Sequence, residues 1–313
     1  MSVMTDQRPI LIAGPTASGK SGLALRLAEQ LGGVVINADS MQVYRELRVL
    51  TARPTPEDEA RVPHALYGFV SGAESYSAGR YSTDVARVLG SARLEGRRPI
   101  IVGGTGLYFK ALTEGLSPIP AIPDDVRAHW RNVAAEDGAG RMHGELAKRD
   151  PVMAQRLASG DTQRIVRALE VLDATGTSLA EWQRLPRQPV LDLSATIPLL
   201  VAVEREELAR RIDVRFRAMM QTGALDEVLQ LKAFELEPAL PLMTALGVRP
   251  LLAHLAGEVT LEEAITAGQM ETRQYAKRQI TWARSNMIAW NSISTQEMEE
   301  VVADFVSFIQ RAH

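Results

Sequence analysis

Residues 14–21, Gly-Pro-Thr-Ala-Ser-Gly-Lys-Ser, obey the pattern G-x-x-x-x-G-K-[ST] in full. An apolar run, Pro9-Ile-Leu-Ile-Ala13, precedes them, and leucines at 23, 25, 27 and 31 follow until Gly32-Gly33. The run reads as a buried strand and the leucines as a helix with a glycine stop. Strand, glycine-rich loop and helix in that order form an anion cradle. Glycines let backbone N–H groups wrap phosphate oxygens, and the helix N-terminus adds positive potential. Lys20 supplies a mobile charge for an outer phosphate, and Ser21 a hydroxyl for Mg²⁺. Gly14, Pro15, Thr16, Ala17, Ser18, Gly19, Lys20 and Ser21 are therefore the expected diphosphate or nucleotide contacts.

More strands repeat the alternation: Val34–Ala38, Arg98–Val102 and Leu199–Val203. Strands alternating with helices predict an α/β fold, a parallel sheet covered on both faces. Two proline-rich stretches, 115–124 and 185–190, bracket a segment in which only helical patterns occur. The expected organisation is a core of residues 1–122 and 192–313 with a helical insertion, 123–191. From Glu204 onward the pattern is almost wholly helical.

In open α/β sheets ligands sit beyond the C-terminal strand ends. Asp39 follows the second strand there. Its carboxylate is suited to accept a proton or hold Mg²⁺ through water, and equally to cap a helix. Gly103-Gly104-Thr105 ends the third strand. Thr105 offers a hydroxyl to a leaving phosphate oxygen or, again, a helix cap. No Asp closes that strand as the metal-holding Asp of an ATPase does, so the bound diphosphate need not be ATP.

With 313 residues, 46% of them hydrophobic, the chain can bury a substantial core. A net charge of −3 argues weakly against a polyanionic partner, so nucleic-acid binding would need local basic clusters. Three segments offer them. Residues 272–284 carry Arg273, Lys277, Arg278 and Arg284 without an acid, interleaved with Tyr275 and Trp282. Gln163-Arg164-Ile165-Val166-Arg167 opens an insertion helix. Arg211 and Arg215 lie four apart on the helix after the 199–203 strand. Each has an ordinary alternative. The first two also suit a solvated helix face. Arg215 suits a second diphosphate clamp or an ion pair with Glu207 or Asp213. The chain has no cysteine, which excludes disulfides and thiolate chemistry. His64, His129, His143, His254 and His313 show no metal spacing. Met1–Arg8 lacks a signal-peptide apolar region and no run is long enough to span a membrane, so cytoplasmic location is expected. A monomer is the expected state.

Taken together, GPTASGKS at 14–21, DSMQVY at 39–44, TARP at 51–54, ESYSAGRY at 74–81, GGTGLYFKAL at 103–112, QRIVRALEV at 163–171 and TRQYAKRQITWAR at 272–284 resemble the tRNA dimethylallyltransferase family. The resemblance implies a P-loop kinase-like core and an insertion that grips the tRNA anticodon stem-loop. It implies that the adenosine 3′ of the anticodon flips into a channel and takes a dimethylallyl group on N6 from dimethylallyl diphosphate, with Mg²⁺ as cofactor. Asp39 then matches the general base. Thr105 matches a residue contacting diphosphate and tRNA. Asp39, Ser40, Met41, Gln42, Arg127 and residues 163–167 match tRNA contacts. Arg273, Lys277 and Arg278 join them. Three positions depart from the family pattern: Leu50-Thr-Ala-Arg-Pro replaces Gly-Thr-Ala-Lys-Pro at residues 50 and 53, and Ser21 replaces Thr. The rival readings are an ATP-dependent small-molecule kinase, a prenyltransferase acting on free AMP or ADP, and a non-catalytic RNA-binding module.

Overall fold

The computed structural model describes residues 7–294 together with Val302, Ala303 and Ser307. It divides into two compact units, Met1–Thr113 with Val190–His313, and Glu114–Pro189.

In the first unit β1 (Ile10–Ala13), α1 (Lys20–Leu31) and β2 (Gly33–Asn37) come first, followed by α2 (Pro56–Arg61), β3 (His64–Ala65), α3 (Ala78–Leu94), β4 (Arg98–Gly103) and α4 (Gly106–Thr113). The second unit contains α5 (Asp124–Arg149), α6 (Pro151–Arg156), α7 (Thr162–Thr175) and α8 (Leu179–Trp182). The chain then returns through β5 (Ile197–Ala202), α9 (Arg205–Gln221), α10 (Ala224–Ala233), α11 (Val248–Leu255), α12 (Leu261–Asn286) and β6 (Asn291–Ser294).

The six strands form one sheet in the order β3-β2-β4-β1-β5-β6, every pair parallel. Its strands are apolar without alternation because both faces are covered. Ile10, Ile12, Val35, Ile100, Val102 and Leu199 pack against Leu23, Leu27 and Ala28 of α1. Leu11, Val34, Ile36 and Ile101 pack against Tyr81, Val85, Phe109 and Leu112 of α3 and α4. Each such aliphatic side chain taken from water contributes about 1.5–3 kcal/mol, which fixes the register. A third cluster joins α9 to α12 with the 43–50 loop through Val43, Leu47, Phe216, Val228 and Leu251.

The order places β4 between β1 and β2, with Ala13 paired to Gly103 and Asn37 to Val102. Three loops, 14–19, 38–42 and 104–105, therefore leave the same edge side by side.

The second unit has its own core, where Trp130, Leu146, Ile165, Leu169 and Leu179 meet. Its long helix α5 breaks at Gly138, whose φ of 71° lies outside the helical region. The helical unit spans 114–189, against the 123–191 read from the proline-rich stretches. In the C-terminal third, read as almost wholly helical, β6 is a strand that the sequence pattern does not mark. Its Asn291 and Ser292 are exposed at the sheet edge, so it carries little apolar signal.

Candidate active site

The loop after β1 turns through a left-handed Ala17 (φ 63°) and Gly19 (φ 85°) before α1 begins at Lys20. Gly14 and Pro15 are buried, Thr16 and Ala17 are half-buried, and Ser21 is exposed on the first turn. Ser18 is buried, and its hydroxyl has no protein partner. Lys20 folds back over the loop, its Nζ donating to Pro15 O at 3.1 Å. Burial lowers its pKa to about 8, with Asp39 opposing that shift and Arg215 adding to it. The same three groups are coupled from the other side. Burial lowers the Arg215 pKa while Asp39 raises it. Lys20, Asp39 and Arg215 thus share one electrostatic neighbourhood.

Arg215 reaches this site from α9 and donates to the Thr16 hydroxyl. The ion-pair alternatives are occupied elsewhere. Glu207 takes Arg210 and Arg211 at 2.8 and 2.7 Å, and Asp213 takes Arg273.

Asp39 is held by its own strand. The buried Asn37 accepts the Asp39 N–H at 2.8 Å and donates to Asp39 O at 2.9 Å and Leu66 O at 3.0 Å. Asp39 Oδ1 accepts the Met41 N–H at 2.9 Å. Among the described residues no helix starts there, so the helix-cap reading falls away and the carboxylate closes a short turn instead. Thr105 is tied to the same segment. Its hydroxyl accepts the Ser40 N–H at 2.9 Å and donates to Ser40 Oγ at 3.3 Å. Met41 is half-buried beside them. Gln42 is half-buried as well. Its amide nitrogen is spent within the chain, donating to Thr51 O at 2.8 Å and Ala52 O at 3.1 Å.

Tyrosines line the crevice. The Asp39 charge, after burial, raises the hydroxyl pKa of Tyr67, Tyr108 and Tyr275, the last to about 12. These hydroxyls stay neutral at any physiological pH.

Nothing in the residue pattern singles out Gln279. From α12 its Oε1 accepts the Thr16 N–H at 2.8 Å and its Nε2 donates to Gly104 O at 2.9 Å. Asn37 was missed too, hidden in an apolar strand.

The basic segments divide. On α12, Lys277 and Arg278 are exposed, Arg278 lying over the Tyr275 ring at 5.5 Å, and both face an open groove with Gln274 and Trp282. Arg273 is instead bound to Asp213, so its charge is neutralised in place. In the helical unit, Arg127 lies 3.9 Å from Asp124, Arg164 2.9 Å from Asp161 and Arg167 3.3 Å from Glu170, with Gln163 exposed. Ile165 requires a correction: it is fully buried in that unit's core and presents no side chain to a ligand. Val166 is half-buried against the same core. Among the described residues no three His, Cys, Asp or Glu side chains gather as a metal site. His313 lies outside the described residues. No described helix is long and apolar enough to cross a membrane.

Comparison with known proteins places these features in a wider set. The IPP transferase family matches residues 42–286, and the isopentenyl transferase family matches residues 8–63. The tRNA dimethylallyltransferase of Parvibaculum lavamentivorans is 53% identical over 302 residues, covering 96% of each chain. That of Methylocella silvestris is 55% identical, covering 89% of this chain and 92% of the relative. Among solved structures, the full-length tRNA isopentenylpyrophosphate transferase of Bacillus halodurans aligns with a TM-score of 0.68 at 30% identity, covering 97% of both chains. A eukaryotic dimethylallyltransferase acting on tRNA aligns with a TM-score of 0.79 at 26% identity, covering 94% of this chain and 75% of the other.

Proposed function

This chain belongs to the tRNA dimethylallyltransferase family, and from that premise we propose that it moves a dimethylallyl group from dimethylallyl diphosphate to N6 of the adenosine 3′ of the anticodon. The supporting observation is the convergence of Lys20, Arg215, Asp39 and Thr105 at neighbouring strand ends.

In this reading the backbone of residues 14–19, Lys20 and Arg215 hold the diphosphate. The bond from the allylic C1 to the diphosphate oxygen breaks, and a bond from C1 to the adenine N6 forms. Positive side chains fixed in a partly dry crevice stabilise the charge gathering on the leaving oxygen. The amine proton passes to Asp39. Oδ1 is already engaged by Met41, so Oδ2 is the oxygen that takes it. The Thr105 hydroxyl, anchored on Ser40, directs a donor or acceptor at the junction of the two substrates.

The exposed Ser21 hydroxyl is a hard oxygen donor that suits Mg²⁺, which would complete its shell with phosphate oxygens and water. When bound, the ion would neutralise part of the diphosphate charge. Lys277 and Arg278 on α12, and Arg127, Gln163, Arg164, Val166 and Arg167 in the helical unit, are the proposed tRNA contacts. The ion pairs of Arg127 and Arg164 are exposed, worth about 0–1 kcal/mol, so phosphates can displace them. The protein acts in the cytoplasm as a monomer.

The test is mass analysis of tRNA nucleosides after incubation with dimethylallyl diphosphate, Mg²⁺ and the protein, with an ATP arm in parallel. A five-carbon adduct on adenosine without ATP consumption supports the reading. ATP turnover with unmodified tRNA would replace it by the kinase alternative.

A further inference from the structure

We propose that Gln279 is a positioning residue that sets the spacing between the phosphate cradle and the Gly-Gly-Thr turn. The proposal rests on the function just given and adds a residue to its machinery.

Strands β1 and β4 stay hydrogen-bonded only as far as Ala13 and Gly103. Beyond that rung the strand ladder supplies no further pairing, yet the chemistry needs the two loops at a fixed separation. The Gln279 amide supplies the next link. It accepts from Thr16 at 2.8 Å and donates to Gly104 at 2.9 Å, joining residues 263 and 175 positions away in sequence. Both ends of the amide are used, in the polarity each partner requires.

The surroundings are built for this contact. A Cβ on Gly104 would stand 2.1 Å from Gln279 Nε2, so glycine is what lets the amide approach the backbone. Four residues earlier on the same helix face, the Tyr275 hydroxyl interacts with the Thr105 and Gln279 side chains. One turn of α12 therefore reaches the cradle at Thr16 and the turn at Gly104 and Thr105. Thr105 carries the link onward to Ser40, the neighbour of Asp39. Misplacement of reacting groups by about 1 Å can cost on the order of 100-fold in rate, so losing this link should register in catalysis.

The experiment compares steady-state kinetics of the wild-type protein with Gln279→Met and Gln279→Glu, varying each substrate and pH. Gln279→Met keeps the volume and removes both hydrogen bonds. The expected result is a fall in kcat/KM for dimethylallyl diphosphate of at least about tenfold, with KM for tRNA unchanged. Gln279→Glu keeps an acceptor for Thr16 but sets a carboxylate against the Gly104 carbonyl. When protonated, that carboxyl regains the donor. The activity of this variant relative to wild type should therefore rise as pH falls, while the Gln279→Met ratio stays level. The titratable and charged groups near this junction, Lys20, Asp39, Arg215, Tyr275 and Arg278, are common to all three proteins, and the Gln279→Met ratio serves as the control for their titration. A Gln279→Met protein with wild-type constants, or a Gln279→Glu ratio flat with pH, overturns the proposal. Wild-type protein that transfers no prenyl group would instead overturn the functional reading itself.

Discussion

The Thr105 hydroxyl accepts the Ser40 amide proton at 2.9 Å, although the two residues are 65 positions apart. That bond joins the ends of β2 and β4 beside Asp39. It predicts that Thr105→Val, which removes the acceptor, lowers kcat by about 10- to 100-fold, since a displaced group at the reaction centre loses its alignment. Thr105→Ser keeps the oxygen and should retain most activity. Steady-state rates of the two variants, with circular dichroism as a control for folding, check this.

Lys20 sets a second expectation. With burial holding its pKa near 8, it is charged below that pH and neutral above it. The proton is lost on the alkaline side, so kcat/KM for dimethylallyl diphosphate should fall as pH rises through about 8. Lys20→Arg, which does not deprotonate in this range, should flatten that limb. A pH profile of both proteins measures it.

Glu227 anchors the loop that follows Asp39. Its carboxylate accepts the backbone N–H groups of Arg48, Val49 and Leu50 at 2.9, 2.8 and 3.0 Å. Removing it leaves three donors without their acceptor. Glu227→Ala should cost about 2–4 kcal/mol of stability, hydrogen bonds to a charged group being worth about 1.5–3 kcal/mol each before water replaces some of them. Denaturant unfolding reads the loss directly.

Neighbours on one helix should separate binding from folding. Arg164 is exposed, whereas Ile165 is fully buried in the helical core. Arg164→Ala should raise KM for tRNA and reduce its salt dependence by about one counterion. Ile165→Ala should instead lower stability by about 2–5 kcal/mol. Kinetics at two salt concentrations and a melting curve distinguish the two effects.

The fold was legible where one force dominates. Parallel strands covered on both faces are written as mainly aliphatic runs, so 9–13, 34–38, 98–102 and 199–203 stood out within two residues. His64–Ala65 and Asn291–Ser294 did not, because short edge strands bury few side chains. Lys20, Asp39 and Thr105 were legible because strand ends in such sheets face the ligand. Gln279 was not. It sits in a segment whose charges dominate its appearance, and its partners are fixed only by tertiary folding. The same limit applies to the pairing of Arg273, read as a tRNA contact, with Asp213 on another helix, 60 residues away. Ile165 shows the converse. Its place in a matching segment suggested contact with RNA, while its position on the inner face of α7 decides its packing.

Prenyl transfer in this site requires Asp39 to take the amine proton while the cradle holds the diphosphate. Single-turnover prenyl transfer by Asp39→Asn, with both substrates saturating, tests this most directly. The predicted result is a rate lowered by about 10²- to 10⁴-fold, the usual worth of a general base. Dimethylallyl diphosphate should bind no more weakly, because the substitution removes a negative charge from beside Lys20. A variant that transfers the prenyl group at the wild-type rate would contradict the account.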